Sequence, residues 1–180
     1  MLTGLAPLVS GGTRLLILGS FPGVRSLAQQ QYYGHPRNQF WPVLQALWPD
    51  GTVGTVGSAA DSYEARCAWL LSKGLGLWDV YAACEREGSL DSRIRQPVVN
   101  DFSALQRLCP HLQAIAHHGG ESFKQARHSA TLGLPVYRLP STSPANASWT
   151  FERKLAVWHE VFTQQGLIQS DERFTSSPNI

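Results

Sequence analysis

Apolar positions recur along this chain in two rhythms, and the rhythms alternate. Residues 14–18, Arg-Leu-Leu-Ile-Leu, are almost continuously apolar, the pattern of a short strand buried on both faces. Three further short runs, at 75–80, 113–117 and 135–139, read as strands too. Between them the period lengthens. Tyr63, Cys67, Leu70 and Leu71 form one stripe of a predicted helix over 58–72. Phe151, Leu155, Trp158 and Phe162 form another over 149–165, which Gly166 ends. Helices are also expected over 38–48, 102–109 and 121–130. Pro42 is tolerable only in a first turn, so the first of these begins near Asn38. Asp101 is the expected cap of the second and Pro110 its stop, while Gly119-Gly120 turns into the third.

Strands alternating with helices predict an α/β fold: a single-domain, three-layer sandwich with a central, four-stranded, mostly parallel sheet flanked by helices. Crossovers are expected to be right-handed. Ligands in such sheets gather at the carboxyl ends of the strands. Segments 19–26, 80–86, 117–120 and 140–146 leave those ends, so their polar residues are expected to converge. Segment 50–57 reads as a Gly/Thr/Val loop. Segment 85–99 is polar and reads as a long loop, which in a compact domain is functional or mobile. The domain is expected over 1–168, with 169–180 as a flexible polar tail.

Composition narrows the class. The chain has 180 residues, 43% hydrophobic and 16% charged, with a mean hydropathy of −0.17, the profile of a soluble domain able to bury its own core. It has no apolar run of transmembrane length, and its N-terminus lacks the basic region of a secretory leader. A cytoplasmic protein without membrane partners is expected. The three cysteines, Cys67, Cys84 and Cys109, are widely spaced and odd in number, which argues against a disulfide framework and against a four-thiolate zinc or iron–sulfur site. Formal charge is only +2, too little to indicate nucleic acid by itself. The bias of 12 Arg against 3 Lys is more informative, since Arg forks onto phosphate and stacks on bases. A GC-rich genome would give the same bias.

The chemistry concentrates in two stretches. Gly19-Ser20-Phe21-Pro22-Gly23 leaves the first strand as a tight turn. Twelve residues on, His35-Pro36-Arg37-Asn38-Gln39-Phe40-Trp41 opens a helix. A carboxamide, a turn able to hold water and flat side chains for stacking suit an extruded nucleobase.

These residues resemble the hypoxanthine-DNA glycosylase branch of the uracil-DNA glycosylase superfamily. The likeness includes Gly19 to Leu27, Gln31 to Trp41, Leu77-Trp78-Asp79-Val80, Cys84-Glu85-Arg86, Gly88-Ser89-Leu90-Asp91-Ser92 and Leu139 to Asn146. It extends from about Arg14 to Phe162. The resemblance implies hydrolysis of the N-glycosidic bond of a deaminated base in DNA, hypoxanthine from deoxyinosine foremost, with no cofactor and no metal. It implies a uracil-DNA glycosylase-like fold and assigns catalysis to Asn38. The chain departs from the superfamily in three places. Phe21 stands where the mismatch-specific branch has Asn and the best-known uracil branch has Asp. His117-His118-Gly119 stands where relatives often carry Phe-Asn-Gly. Ser141 stands where the uracil branch carries its catalytic His.

The candidate site follows residue by residue. Asn38 is the catalytic candidate, orienting water or donating to the base, and its position equally suits a helix N-cap. Gly19, Ser20, Phe21, Pro22, Gly23, Tyr33, Phe40, Asp79 and His118 are candidates for the water and base pocket. Tyr32 is a further stacking candidate. His118 suits either a base contact or a structural role. His35, held extended before Pro36, suits phosphate contact or, better, fixing its loop. Arg37, Ser141, Thr142 and Ser143 are DNA-binding candidates; Ala145 and Asn146 are candidates to enter the gap left by a flipped base. Asp91 and Arg93 are expected to pair with each other. Cys84 has no evident His partner and is a poor nucleophile. A monomer acting on DNA is expected. The rivals are a mismatch uracil-DNA glycosylase and a noncatalytic nucleic-acid-binding α/β module.

Overall fold

A computed structural model describes residues 1–49 and 62–170. The loop expected over 50–57, the start of the helix expected over 58–72 and most of the tail expected from 169 lie outside the described residues. The strands are β1 (Leu2–Thr3), β2 (Leu15–Gly19), β3 (Leu75–Asp79), β4 (Tyr81–Glu85), β5 (Arg95–Val99), β6 (Ala114–His118) and β7 (Val136–Leu139). The helices are α1 (Val24–Gln29), α2 (Phe40–Leu47), α3 (Tyr63–Ser72), α4 (Leu105–Leu108), α5 (Gly120–Phe123), α6 (Ala126–Ala130) and α7 (Phe151–Gln164).

The four central strands form a parallel sheet in the order β3-β2-β6-β7. Every residue of β2 is buried, which explains its unbroken apolar run. Leu15 and Ile17 pack into the core built on α2, α3 and α7, with Phe40, Trp41, Leu44, Leu70, Trp158 and Phe162. Leu16 and Leu18 point the other way, into a second core with Tyr81, Cys84, Phe102, Leu105 and Ile115. Side chains alternate across a strand, so one run of five residues serves two layers. Helix α7 is held by the periodic stripe seen in its sequence and by Thr150, whose hydroxyl accepts from the Arg153 N–H.

Four expectations need correction. Segment 85–99 is not one long loop: Glu85 ends a strand, Arg95–Val99 forms another, and the loop between them is confined to 86–94. The segment contributes to an antiparallel ribbon of β4 and β5, joined by β1. Strand β5 is an exposed edge containing Pro97, and register shifts interrupt its pairing, so no clean alternation of apolar residues marks it. The helix expected from Asn38 starts at Phe40. The one expected over 102–109 shrinks to Leu105–Leu108, because Asp101 accepts from the Ser103 N–H in a local turn. The helix expected over 121–130 breaks into α5 and α6, with Ser122 and Ser129 both turned onto the buried His117 ring. No helix among the described residues is long and apolar enough to cross a membrane.

Candidate active site

Parallel register brings the strand tips together. Gly19 lies opposite Asp79, Leu18 opposite His117, and His118 opposite Leu139. Above them opens a cleft of about 780 Å³, within the usual range for a small-molecule site.

Asp79 and the first turn make its base. A methyl group on Gly19 would collide with the Asp79 carboxylate, so a side chain there would have to push that group aside. Asp79 is buried, its Oδ2 has no partner, and it lines the cleft. Burial first, and the nearby Asp91 second, raise its pKa to about 7, against an opposing pull from Arg86. Asp91 does not pair with Arg93 as expected; its Oδ1 accepts a 2.6 Å hydrogen bond from Ser20. Arg86 donates to the carbonyls of Pro22 at 2.6 Å and Gly88 at 2.8 Å, and its guanidinium lies 5.2 Å from the Phe21 ring. Phe21 is almost wholly buried and belongs to the second core, with an edge on the cleft.

A second network sets the polarity of the opposite wall. Asn38 Oδ1 accepts from the Phe40 N–H at 2.9 Å and from the Thr142 hydroxyl at 2.7 Å. A backbone N–H can only donate, so the oxygen faces inward and the amide NH₂ is the end offered to the cleft. His118 Nε2 accepts from the Thr142 N–H at 3.0 Å. Burial first, and Lys154 second, lower the His118 pKa to about 3, so the ring is neutral. Its proton therefore sits on Nδ1 and is donated to the Tyr33 hydroxyl 2.8 Å away. That leaves the Tyr33 proton free for another acceptor. Tyr33 stacks on Phe40 at 3.9 Å and holds a left-handed backbone, φ 54°. Such strain in a bulky residue costs about 1–3 kcal/mol and collects at functional sites. Trp158 closes the network from behind, edge-on to His118 and donating to the Pro140 carbonyl.

A family model for the uracil DNA glycosylase superfamily matches residues 6–162. The chain belongs to that superfamily. It is 35% identical over 159 residues to the hypoxanthine DNA glycosylases of Methanosarcina barkeri and Methanosarcina acetivorans, covering 88% of this chain and 96% of each relative. A solution NMR structure of a candidate uracil DNA glycosylase from M. acetivorans superposes with a TM-score of 0.77 at 33% identity. That match covers 91% of this chain and 98% of the other.

In this superfamily member most of the residues expected at the site do line one cleft. Asn38, Gly19, Ser20, Phe21, Pro22, Gly23, Tyr33, Asp79 and His118 do so, as do His35, Arg37, Ser141, Ser143, Ala145 and Asn146. Two lie behind the wall. Phe40 is fully buried under Tyr33, and Thr142 is fully buried against Asn38 and His118, so its hydroxyl faces the protein and not a phosphate. Tyr32 is mostly buried, its hydroxyl spent on the Ala6 carbonyl. His35 accepts from the Arg37 N–H and pins its own loop. Asn146 donates from Nδ2 to the Ser141 carbonyl and from its N–H to the Ser143 carbonyl. Neighbouring His117 points to the far face. Ser122 donates to the Leu18 carbonyl and so accepts from His117 Nδ1, and burial lowers that imidazole's pKa to about 4.

Sequence reasoning missed Ser89, Leu90, Asp91 and Ser92 on one wall and Arg25 and Arg138 on the others. The first four lay inside a recognised motif and a stretch marked as an unusually long loop, which was the available signal.

Proposed function

We propose that this chain is a monofunctional DNA glycosylase whose first substrate is hypoxanthine arising from deoxyinosine. The observation that carries the reading is the enforced direction of the Asn38 amide, which offers donors and no free oxygen to the cleft. Water attacks the sugar C1′ as the C1′–N9 bond breaks. The bonding electrons leave with the base, a proton from water neutralises the released anion, and an abasic site remains. Negative charge grows on the departing base, so donors aimed at it gain strength in the transition state. Asn38 Nδ2 and the Tyr33 hydroxyl are the donors so directed. Neither is a base, and Asn38 orients water only as a donor. The names of the two Methanosarcina relatives support hypoxanthine over other deaminated bases.

The reading carries with it one domain over 1–168, a monomer, and a cytoplasmic location in which buried Cys67, Cys84 and Cys109 remain free thiols. A panel of oligonucleotides carrying deoxyinosine, deoxyuridine or deoxyxanthosine, single-stranded and duplex, with alkaline work-up, tests it. Strand scission at deoxyinosine is expected. Asn38→Ala is expected to lose about 10²–10³-fold in kcat, the usual cost of one directed donor, with unchanged circular dichroism. Scission at uracil alone would move the chain to the mismatch uracil-DNA glycosylase reading, in keeping with the name of the M. acetivorans structure. No scission at any lesion would refute catalysis.

A further inference from the structure

Turning a nucleotide out of a duplex leaves a gap in the stack, and proteins that unstack DNA commonly fill such gaps with an apolar side chain. On the loop after β7 the apolar lining is Pro144 and Ala145, followed by Trp149, which is half-buried with the Arg153 guanidinium 3.8 Å from its ring centre. Ala145 presents one methyl group, and Asn146 is tied into its own loop by two hydrogen bonds. Among the described residues, Met1, Leu2, Val24, Leu90, Val98 and Leu108 are the large apolar side chains that stand well exposed. Of these, Leu90 lines the cleft. It is 51% exposed, and its neighbours Ser89, Asp91 and Ser92 are polar. An exposed leucine adds little to folding.

The loop that carries Leu90 is anchored on both sides. Ser89 Oγ accepts from the Val24 N–H at 3.0 Å, and Asp91 accepts from Ser20 at 2.6 Å. Arg86 bridges the Gly88 and Pro22 carbonyls. The Leu90 carbonyl itself accepts from the Arg93 N–H, opening the short 3₁₀ turn Asp91–Arg93. The side chain is thus held out at the cleft by a braced backbone, with Arg25, Arg37 and Arg138 also lining that cleft and available to phosphates. We propose that Leu90 is the wedge that enters duplex DNA and occupies the place of the extruded nucleotide. This rests on the glycosylase reading for its substrate, though not for its test.

Cleavage of single-stranded and duplex deoxyinosine oligonucleotides by the full chain gives a duplex-to-single-strand ratio of kcat/KM. Leu90→Ala is expected to lower that ratio about tenfold or more, since unstacking costs a few kcal/mol. Leu90→Phe is expected to restore it, and Leu108→Ala, exposed on α4 away from the cleft, to leave it unchanged. An unchanged ratio in Leu90→Ala, or a drop produced by Pro144→Ala in its place, would overturn the proposal. A second readout needs no chemistry: the fluorescence of 2-aminopurine placed beside the lesion in a duplex. Asn38→Ala protein is expected to raise it, and the Asn38→Ala/Leu90→Ala double variant to fail. A Leu90-dependent rise without cleavage by the wild type would retain the wedge and reject the glycosylase reading. The absence of any Leu90-dependent rise would reject the wedge whatever the cleavage data show.

Discussion

Asn38 Oδ1 spends both lone pairs on donors from within the protein, one from Phe40 and one from Thr142. Thr142 is therefore a positioning residue, acting through Asn38 and, by its N–H, through His118. Thr142→Val keeps the shape and removes the hydroxyl; it is expected to lower kcat about tenfold, the worth of one lost hydrogen bond, with KM little changed. Thr142→Ser should recover most of the rate. In an Asn38→Ala background the same valine substitution should cost nothing more, which separates positioning from general destabilisation. Asp79 makes a different prediction. Its folded pKa, about 7, lies above the ordinary 3.8, so the folded protein keeps a proton that the unfolded chain releases. That contribution to stability is complete below pH 4 and is lost as pH rises through 7. Asp79→Asn cannot ionise. By urea denaturation, its stability relative to wild type should grow by a few kcal/mol between pH 4 and 7 and then level off. His118 and His117, held near 3 and 4, act oppositely. The unfolded chain takes protons they refuse, so stability falls as pH drops below 6.5.

Short elements placed by contacts distant in sequence carry most of the site. The ribbon of β4 and β5 is anchored to the parallel sheet by the Val80 and Tyr81 N–H groups, which donate to the Gly19 and Ser20 carbonyls. Tyr81 also donates its hydroxyl to Glu121 on α5. These two carbonyls of the first turn are consequently spent on structure, as is that of Pro22, which accepts from Arg86. At the end of β2, where the turn begins, a side chain on Gly19 would meet the Asp79 carboxylate. Gly19→Ala should cost about 1–3 kcal/mol, the ordinary penalty for overpacking, and should displace Asp79 from the cleft wall. Helix α7 supports the opposite wall through Trp158 and through Lys154, which donates to Gln39 at 2.9 Å. Its cap, Thr150, follows Trp149 on the cleft but does not line the cleft itself. Thr150→Ala should lower stability by about 1 kcal/mol in urea titration and leave kcat unchanged.

Over the whole molecule the formal charge is only +2, yet Arg25, Arg37 and Arg138 line one cleft. Duplex binding should therefore weaken with salt, and Arg37→Ala should reduce the slope of log K against log[salt] by about 0.9 if that residue meets a phosphate. The parallel sheet, its two cores and the convergence of the strand tips were legible from side-chain period, because β2 is buried on both faces and α7 carries one apolar stripe. The segments leaving those tips, and with them Asp79 and His118 at the strand ends, were legible for the same reason, whereas Asn38 lies on none of them and was singled out by the resemblance of its motif. The β4–β5 ribbon was not, since an edge strand with proline and irregular register buries too little to leave a pattern. Nor was the sense in which each polar group would act. Ser20 meets Asp91 across 71 residues, Tyr33 meets His118 across 85, and Thr142 meets Asn38 across 104. Apolar periodicity is local, because a helix or strand repeats its own geometry every few residues. The direction of an amide or the tautomer of an imidazole depends on which donors the packed chain brings within 3 Å, and only the register between distant strands decides that.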